Sequence, residues 1–256
     1  MPGSPEKQKP LPMRTLTRLI FALSLSLLAA SMWLGERLPE RGQMLAALAA
    51  EPVQTPLTMP AFQARAGDTD YTVQPLHRYE IHGLVVSRHD TAAWWDIVHR
   101  DWGDRLNVVD LCVIWGPNLA NDAYRGLHYW SEVFTCNVGT GSQALWDQFD
   151  PDALSNNHLL AADAGVARAL RGVRVGDQVR VRGYLAEYGH DQGRVFRRGT
   201  STVRTDRGNG ACETIWVTEA QVLKAGNPGW RLARWLAFAG LAVAVLLWWR
   251  LPMRLD

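Results

Sequence analysis

An apolar block at each end constrains this chain more than any other feature. The first, "LIFALSLSLLAASMWLG", covers residues 19–35; Arg14 and Arg18 precede it, and Glu36 and Arg37 close it. Leu16 and Thr17 bring it to roughly the 20 residues that a bilayer-spanning helix needs. The second lies within "WRLARWLAFAGLAVAVLLWWRLPMRLD". Its charge-free core, residues 235–249, is short, but Arg231 and Arg234 can snorkel to one interface and Arg250 can mark the other. Trp230, Trp235, Trp248 and Trp249 fall where an aromatic belt forms, since indole joins an apolar body to one donor. Transmembrane helices are expected at 16–35 and, after a short linker, within 225–249.

Basic residues near the ends set the expected orientation. Lys7, Lys9, Arg14 and Arg18 stand before the first block, and Arg250 and Arg254 after the second. Tails 1–15 and 250–256 are then cytoplasmic. Arg37, Arg41, Arg231 and Arg234 on the other side reduce the contrast. A cleaved signal peptide is the rival reading of the first block. The small-residue stretch "ALAAEP" would be its cleavage site, but it lies past Glu36, Arg37, Glu40 and Arg41. Either reading exports the body. The expected location is a bacterial inner membrane, with the main domain periplasmic or otherwise extracytoplasmic and the lipid bilayer as one partner.

Residues 36–75 read as a helical extension through "RGQMLAALAA", followed by a spacer with Pro52, Pro56, Pro60 and Pro75. Strand patterns begin at Tyr79. "YEIHGLVVSRH", "RLNVVDLCVIWG", "LHYWSEVFTCNV", "GDQVRVRGYLAEY", "RVFRRGTSTV" and "ETIWVTEAQVL" are rich in β formers. "TAAWWDIVHRDWG" and "AADAGVARALRGV" read as short helices, with Thr91 near one N-terminus and Asp163 near the other. The expected fold class is β-dominated α+β: a small OB-like Greek-key barrel with two short helices over residues 76–224, flanked by N- and C-terminal transmembrane helices. Gly83 stands where a barrel strand must bend. Alternation nominates Val85, Val109, Val113, Trp115, Phe134, Val179, Val181, Ile215 and Val217 for the core.

Trp115–Gly116, "SNNHLL", "VGDQVRVRGYL" and "STVRTDRGNGACE" resemble a family of uncharacterised bacterial membrane proteins. The resemblance covers residues 79–223 and the flanking helices and implies two terminal spans around one extracytoplasmic β domain. It carries no catalytic role. The family pattern Ser-x-Asn-x-His is met by Ser155, Asn157 and His158 only with shortened spacing.

Three cysteines in an oxidising compartment leave at least one unpaired. Cys112 and Cys136 lie on two strands read as a hairpin around "NDAYRG", which favours a bridge between them; Cys136–Cys212 is the alternative. The seven histidines show no metal-site spacing, no haem attachment motif is present, and no cofactor or metal is expected. A net charge of +2 gives no reason to expect nucleic acid.

The candidate site residues are His158, Ser201, Arg204, Asp206 and Glu213. Asp206, Gly208, Asn209 and Gly210 are turn formers, and Arg204 with Glu213 can brace that turn. If the group converges, His158 with Ser201, Asp206 or Glu213 supplies proton exchange beside a hydroxyl, as a hydrolase or transferase needs. The other reading is a binding or assembly module using Arg204, Arg198, Asn157, His158 and Trp115. Arg194, Arg197, Arg198, Arg204 and Arg207 make this region basic, so the partner would be another envelope protein or an anionic envelope component.

Overall fold

One strand organises the central unit. The structure, a computed structural model, describes residues 12–206, 208 and 211–251. Two compact units divide the chain, one holding the terminal helices and the other spanning Leu38–Gly226.

The terminal unit contains α1 (Met13–Gly35) and α5 (Pro228–Arg250), which pack on each other. Both are long and apolar enough to cross a membrane. Helix α1 stops at Gly35 and does not continue through "RGQMLAALAA" as expected. That segment forms 3₁₀ turns at Arg41–Gln43 and Ala46–Ala49, and Leu48 is buried against Leu84, Cys112 and Ile114. Burying this apolar side chain on the β unit fixes the segment there.

In the central unit, strands β1 (Val53–Pro56), β2 (Phe62–Ala66) and β3 (Thr69–His89) occupy the stretch expected to be a spacer. The correction has a physical reason: Pro56 ends a strand, and Pro75 lies where the β3 pairing register shifts, so neither ring interrupts a regular ladder. The remaining elements are α2 (Ile97–Trp102), β4 (Asn107–Ile114), β5 (His128–Glu132), β6 (Thr135–Gly139), α3 (Gln143–Trp146), β7 (Leu154–Leu160), α4 (Ala164–Gly172), β8 (Gln178–His190), β9 (Phe196–Arg198) and β10 (Glu213–Lys224). The fold is mixed α+β, with one large sheet.

Strand β3 pairs with β4 along one edge and with β8 along the other. The path β3–β4–β7–β10–β8 therefore returns to β3, and β7–β10 is its parallel step. Such closure demands close backbone approach at two glycines. A Cβ at Gly83 would meet the Val113 side chain and the Ile114 carbonyl, and one at Gly183 would meet the Trp216 carbonyl.

Direct partners across these strands share a face. One face carries Val85, Val109, Leu111, Val113, Leu159, Val179, Val181, Ile215 and Val217 into the largest core cluster, with Trp115. All the nominated core residues join it except Phe134. Phe134 is half-buried at φ 67° in the tight turn of the β5–β6 hairpin, since "LHYWSEVFTCNV" makes two strands rather than one. Cys112 and Cys136 are bridged with Cα atoms 5.6 Å apart. They do not face each other across one hairpin, as expected; the bridge fastens β6 to the outer face of β4. Cys212 is free.

Candidate functional site

The alternation of β4 explains where its polar residues go. In "NVVDLCVI", Val109 and Leu111 enter the core, so Asp110 must point to the opposite, outer face. Register places His89 of β3 and His158 of β7 beside it. The segment "SNNHLL", with its turn-forming residues, lies in strand β7, so His158 and Asn157 project from opposite faces.

These residues form a continuous buried hydrogen-bonded chain. His158 Nδ1 donates to Asp110 Oδ1 at 2.7 Å, and Asn107 Nδ2 donates to the same oxygen at 2.8 Å. Asn107 Nδ2 also lies 3.3 Å from His99 Nε2. His99 Nδ1 and His89 Nε2 both stand 2.6 Å from Asp96 Oδ2. Asp96 Oδ1 accepts from the His99 backbone N–H, which makes it the N-cap of α2 in place of the expected Thr91. At the other end, Arg198 Nη2 lies 2.6 Å from His158 Nε2. Guanidinium has only donors, so this contact uses the Nε2 lone pair of the deprotonated imidazole, the form that prevails above about pH 9.

The charges act on one another. Burial disfavours protonated His158, but the Asp110 charge and hydrogen bond outweigh it and raise the imidazole to about 9, with Arg198 opposing. Burial pushes Asp110 up, yet His158 and Asn107 hold it below the usual carboxylate value. Asp104 stays raised because burial dominates there. Phe134 covers the group: the Arg198 guanidinium lies 3.9 Å from its ring centroid, and the His99 ring is 4.5 Å away. Its carbonyl accepts from Asn156 Nδ2 at 2.9 Å, and Cys212 Sγ lies 3.7 Å from the same oxygen. An open cleft of about 400 Å³, lined by Thr72, Gln74, Glu187, Arg197 and Arg198, leads to the Arg198 end.

The structure separates the site residues nominated from sequence. Glu213 pairs in register with Asn157, not His158, and so faces the core side. There its carboxylate accepts from Ser155 Oγ, and burial raises it to about 7. Ser201 Oγ donates to Asp206 at 2.6 Å inside a local turn. Arg204 donates to the Asp152 carbonyl, pairs with Glu51 at 3.5 Å and lies 6.0 Å from the Trp115 ring; it does not brace Glu213. Asn157 Nδ2 donates to the Leu111 and Ser155 carbonyls. Among the described residues no hydrogen bond joins His158 to Ser201, Asp206 or Glu213. Of the nominated set, two hydrogen-bonded pairs form apart from each other, Ser201 with Asp206 and His158 with Arg198. Arg207 and Asn209 lie outside the described residues.

Sequence reasoning passed over Asp110, Asn107, His99, Asp96 and His89. One signal was present for Asp110, a lone charge inside an apolar strand run. His89 and His99 gave none, because their separation fits no common ligand spacing. Comparison with protein-family models, curated proteins and solved structures finds no match to the chain.

Proposed function

We propose that this chain is an inner-membrane-anchored bacterial envelope protein whose extracytoplasmic β domain is an OB-like barrel acting as a binding or assembly module. The closed pairing path supports the fold reading. Numbered along the chain, its strands run 1-2-3-5-4-1 with the third and fifth parallel, which is the strand order of an OB barrel. In that architecture ligands sit on the face of the second and third strands, between the 1–2 and 4–5 loops. The equivalent face here is the outer side of β4 and β7, and the loops are 90–106 and 191–212.

The observation that carries the binding reading is the Asp110–His158–Arg198 chain on that face, next to an open cleft. Arg198 is half-buried, holds a planar donor fork and stands at the cleft, so it suits an anionic group. The partner is an acidic surface of another envelope protein or an anionic envelope component. Two membrane anchors would hold the domain in a thin layer and raise its effective concentration for neighbours. The Cys112–Cys136 bridge fits an oxidising compartment. The hydrolase or transferase alternative has less support, because His158 faces away from Glu213 and bonds to Asp110.

Crosslinked co-purification from membranes tests the reading. Wild type should capture a reproducible partner, Arg198→Ala should lose it, and Arg204→Ala should keep it. Equal capture by Arg198→Ala, with the bridge intact, would place the binding surface elsewhere.

A further inference from the structure

Two imidazoles and one carboxylate meet where β3 ends and the 90–106 loop begins. His89 is the last residue of β3, Asp96 caps α2, and His99 lies in its first turn. Their donor atoms, His89 Nε2, Asp96 Oδ2 and His99 Nδ1, all lie within 4.8 Å of one another. All three residues are buried. Nothing in their surroundings supplies an arginine or lysine to Asp96; its side-chain partners among the described residues are these two rings. We propose that His89, Asp96 and His99 form a zinc site that ties the end of β3 to α2 and fixes the loop between them.

The donor set suits the metal. Zinc takes imidazole nitrogen and carboxylate oxygen at ~2.0–2.2 Å, and three protein ligands leave a fourth position for water or another donor. Tetrahedral bonds of that length separate donors by roughly 3.3 Å. Each nitrogen now stands 2.6 Å from Asp96 Oδ2, so that oxygen must retreat by less than about an ångström for the ion to enter. On binding, each ring presents a lone pair in place of the N–H now directed at Asp96. His99 would then carry its proton on Nε2, where Asp104 Oδ2 is 3.8 Å away. The Asn107 amide, whose Nδ2 is 3.3 Å from the same nitrogen, would have to give way, and a carboxylate drawn up behind the ligating histidine would then fix the tautomer and strengthen the ligand.

The sequence between the ligands has a use for such a tie. Residues 90–96 contain Trp94 and Trp95, exposed by 82% and 62%, which meet edge to face in a loop with no regular secondary structure. Thr91 Oγ1 donates to the Asn107 carbonyl at 2.7 Å and Ala92 N–H to Asp90 Oδ1, and these bonds hold the first part of this segment. A metal bridging His89 to Asp96 and His99 would close the loop at its base and limit the positions of both indoles.

The test uses the full chain in detergent, stripped with a chelator and then dialysed against micromolar zinc. Metal analysis should find one zinc per chain. Cobalt substitution should give visible bands without a thiolate charge-transfer band, because no sulfur ligates. His89→Gln and His99→Asn keep an N–H donor for Asp96 but cannot replace an imidazole; each should lose stoichiometric zinc. His128→Ala, remote from the cluster, should retain it. Wild type that takes up no zinc overturns the proposal, whatever the variants do. Zinc retained in full by folded His89→Gln or His99→Asn, judged by circular dichroism and the intact bridge, overturns it equally.

Discussion

Glu213 shows how one buried side chain sets a pH response. It lies on the core side of β10, accepts a hydrogen bond from Ser155 and is raised by burial from 4.5 to about 7. The folded protein thus binds this proton more tightly than the unfolded chain. The contribution to stability is full below about pH 4.5 and is lost as pH rises through about 7. Its size is about 3 kcal/mol, since every tenfold gain in proton affinity corresponds to ~1.4 kcal/mol. Glu213→Gln should remove this part, so the variant should lose less stability than wild type between pH 4.5 and 8. Unfolding curves of the detergent-solubilised chain across that range provide the measurement; parallel pH profiles would sink the argument. At this scale the residues were legible as chemistry but not as neighbours. Glu213 and His158 both belonged to motifs that invited grouping. Yet the parallel register of β7 and β10 pairs Glu213 with Asn157 and sends His158 to the other face. A one-residue offset decides that, and composition does not encode it. Asp110 had a visible signal, a charge enclosed by Val and Leu, whose meaning depended on which strands flank it.

At the scale of elements, the β5–β6 hairpin is a cover rather than part of the main sheet. Its strands pair only with each other, and Cys136 joins it covalently to β4. Phe134, in the turn, lies over His99 and His158, with ring centroids 4.5 Å and 5.9 Å apart. Cutting the tether should therefore loosen the cover more than the sheet. The bridge closes a loop across 24 residues, which corresponds to ~2–4 kcal/mol of stabilisation. Cys136→Ser should lower unfolding stability by that order and speed amide exchange in residues 128–139 ahead of β3 and β8. If exchange rises uniformly through the domain instead, the hairpin is not a separable cover. The cysteine pairing was legible from the sequence, but the hairpin that suggested it was misplaced. The twelve residues from Leu127 to Val138 satisfy strand propensity throughout, so propensity could not reveal the turn at Phe134. The strands within 53–75 were hidden for a related reason. Four prolines imitate a spacer until it is known that Pro56 ends a strand and Pro75 sits at a register shift.

For the molecule as a whole, the two long apolar helices at the ends were the most legible part, because the length and apolar content that a span demands can be read without tertiary partners. Helices α1 and α5 each have 23 residues, and both pass the length and hydropathy demands of a span. The arrangement of the body was much less legible. Closure of β3 against both β4 and β8 joins residues about a hundred positions apart, as Glu80 with Arg182 shows. The remaining prediction concerns orientation. An even number of crossings returns the chain to its starting side, so both ends must share a compartment if both helices span. Arg14 and Arg18 lie in the first turns of α1 and Arg250 ends α5, so the chain-terminal end of each helix is basic, which favours the cytoplasm under the positive-inside rule. Arg37, Arg231 and Arg234 flank the opposite ends and reduce the bias, but the bridged Cys112 and Cys136 argue for export of the intervening domain. Fusions at either terminus should therefore report with a fluorophore that matures in the cytoplasm and stay silent with a phosphatase that needs export. A phosphatase inserted between Gln192 and Gly193, in an exposed turn, should be active. Phosphatase activity at a terminus would reverse the orientation, and at one terminus alone would mean that only one of the two helices crosses.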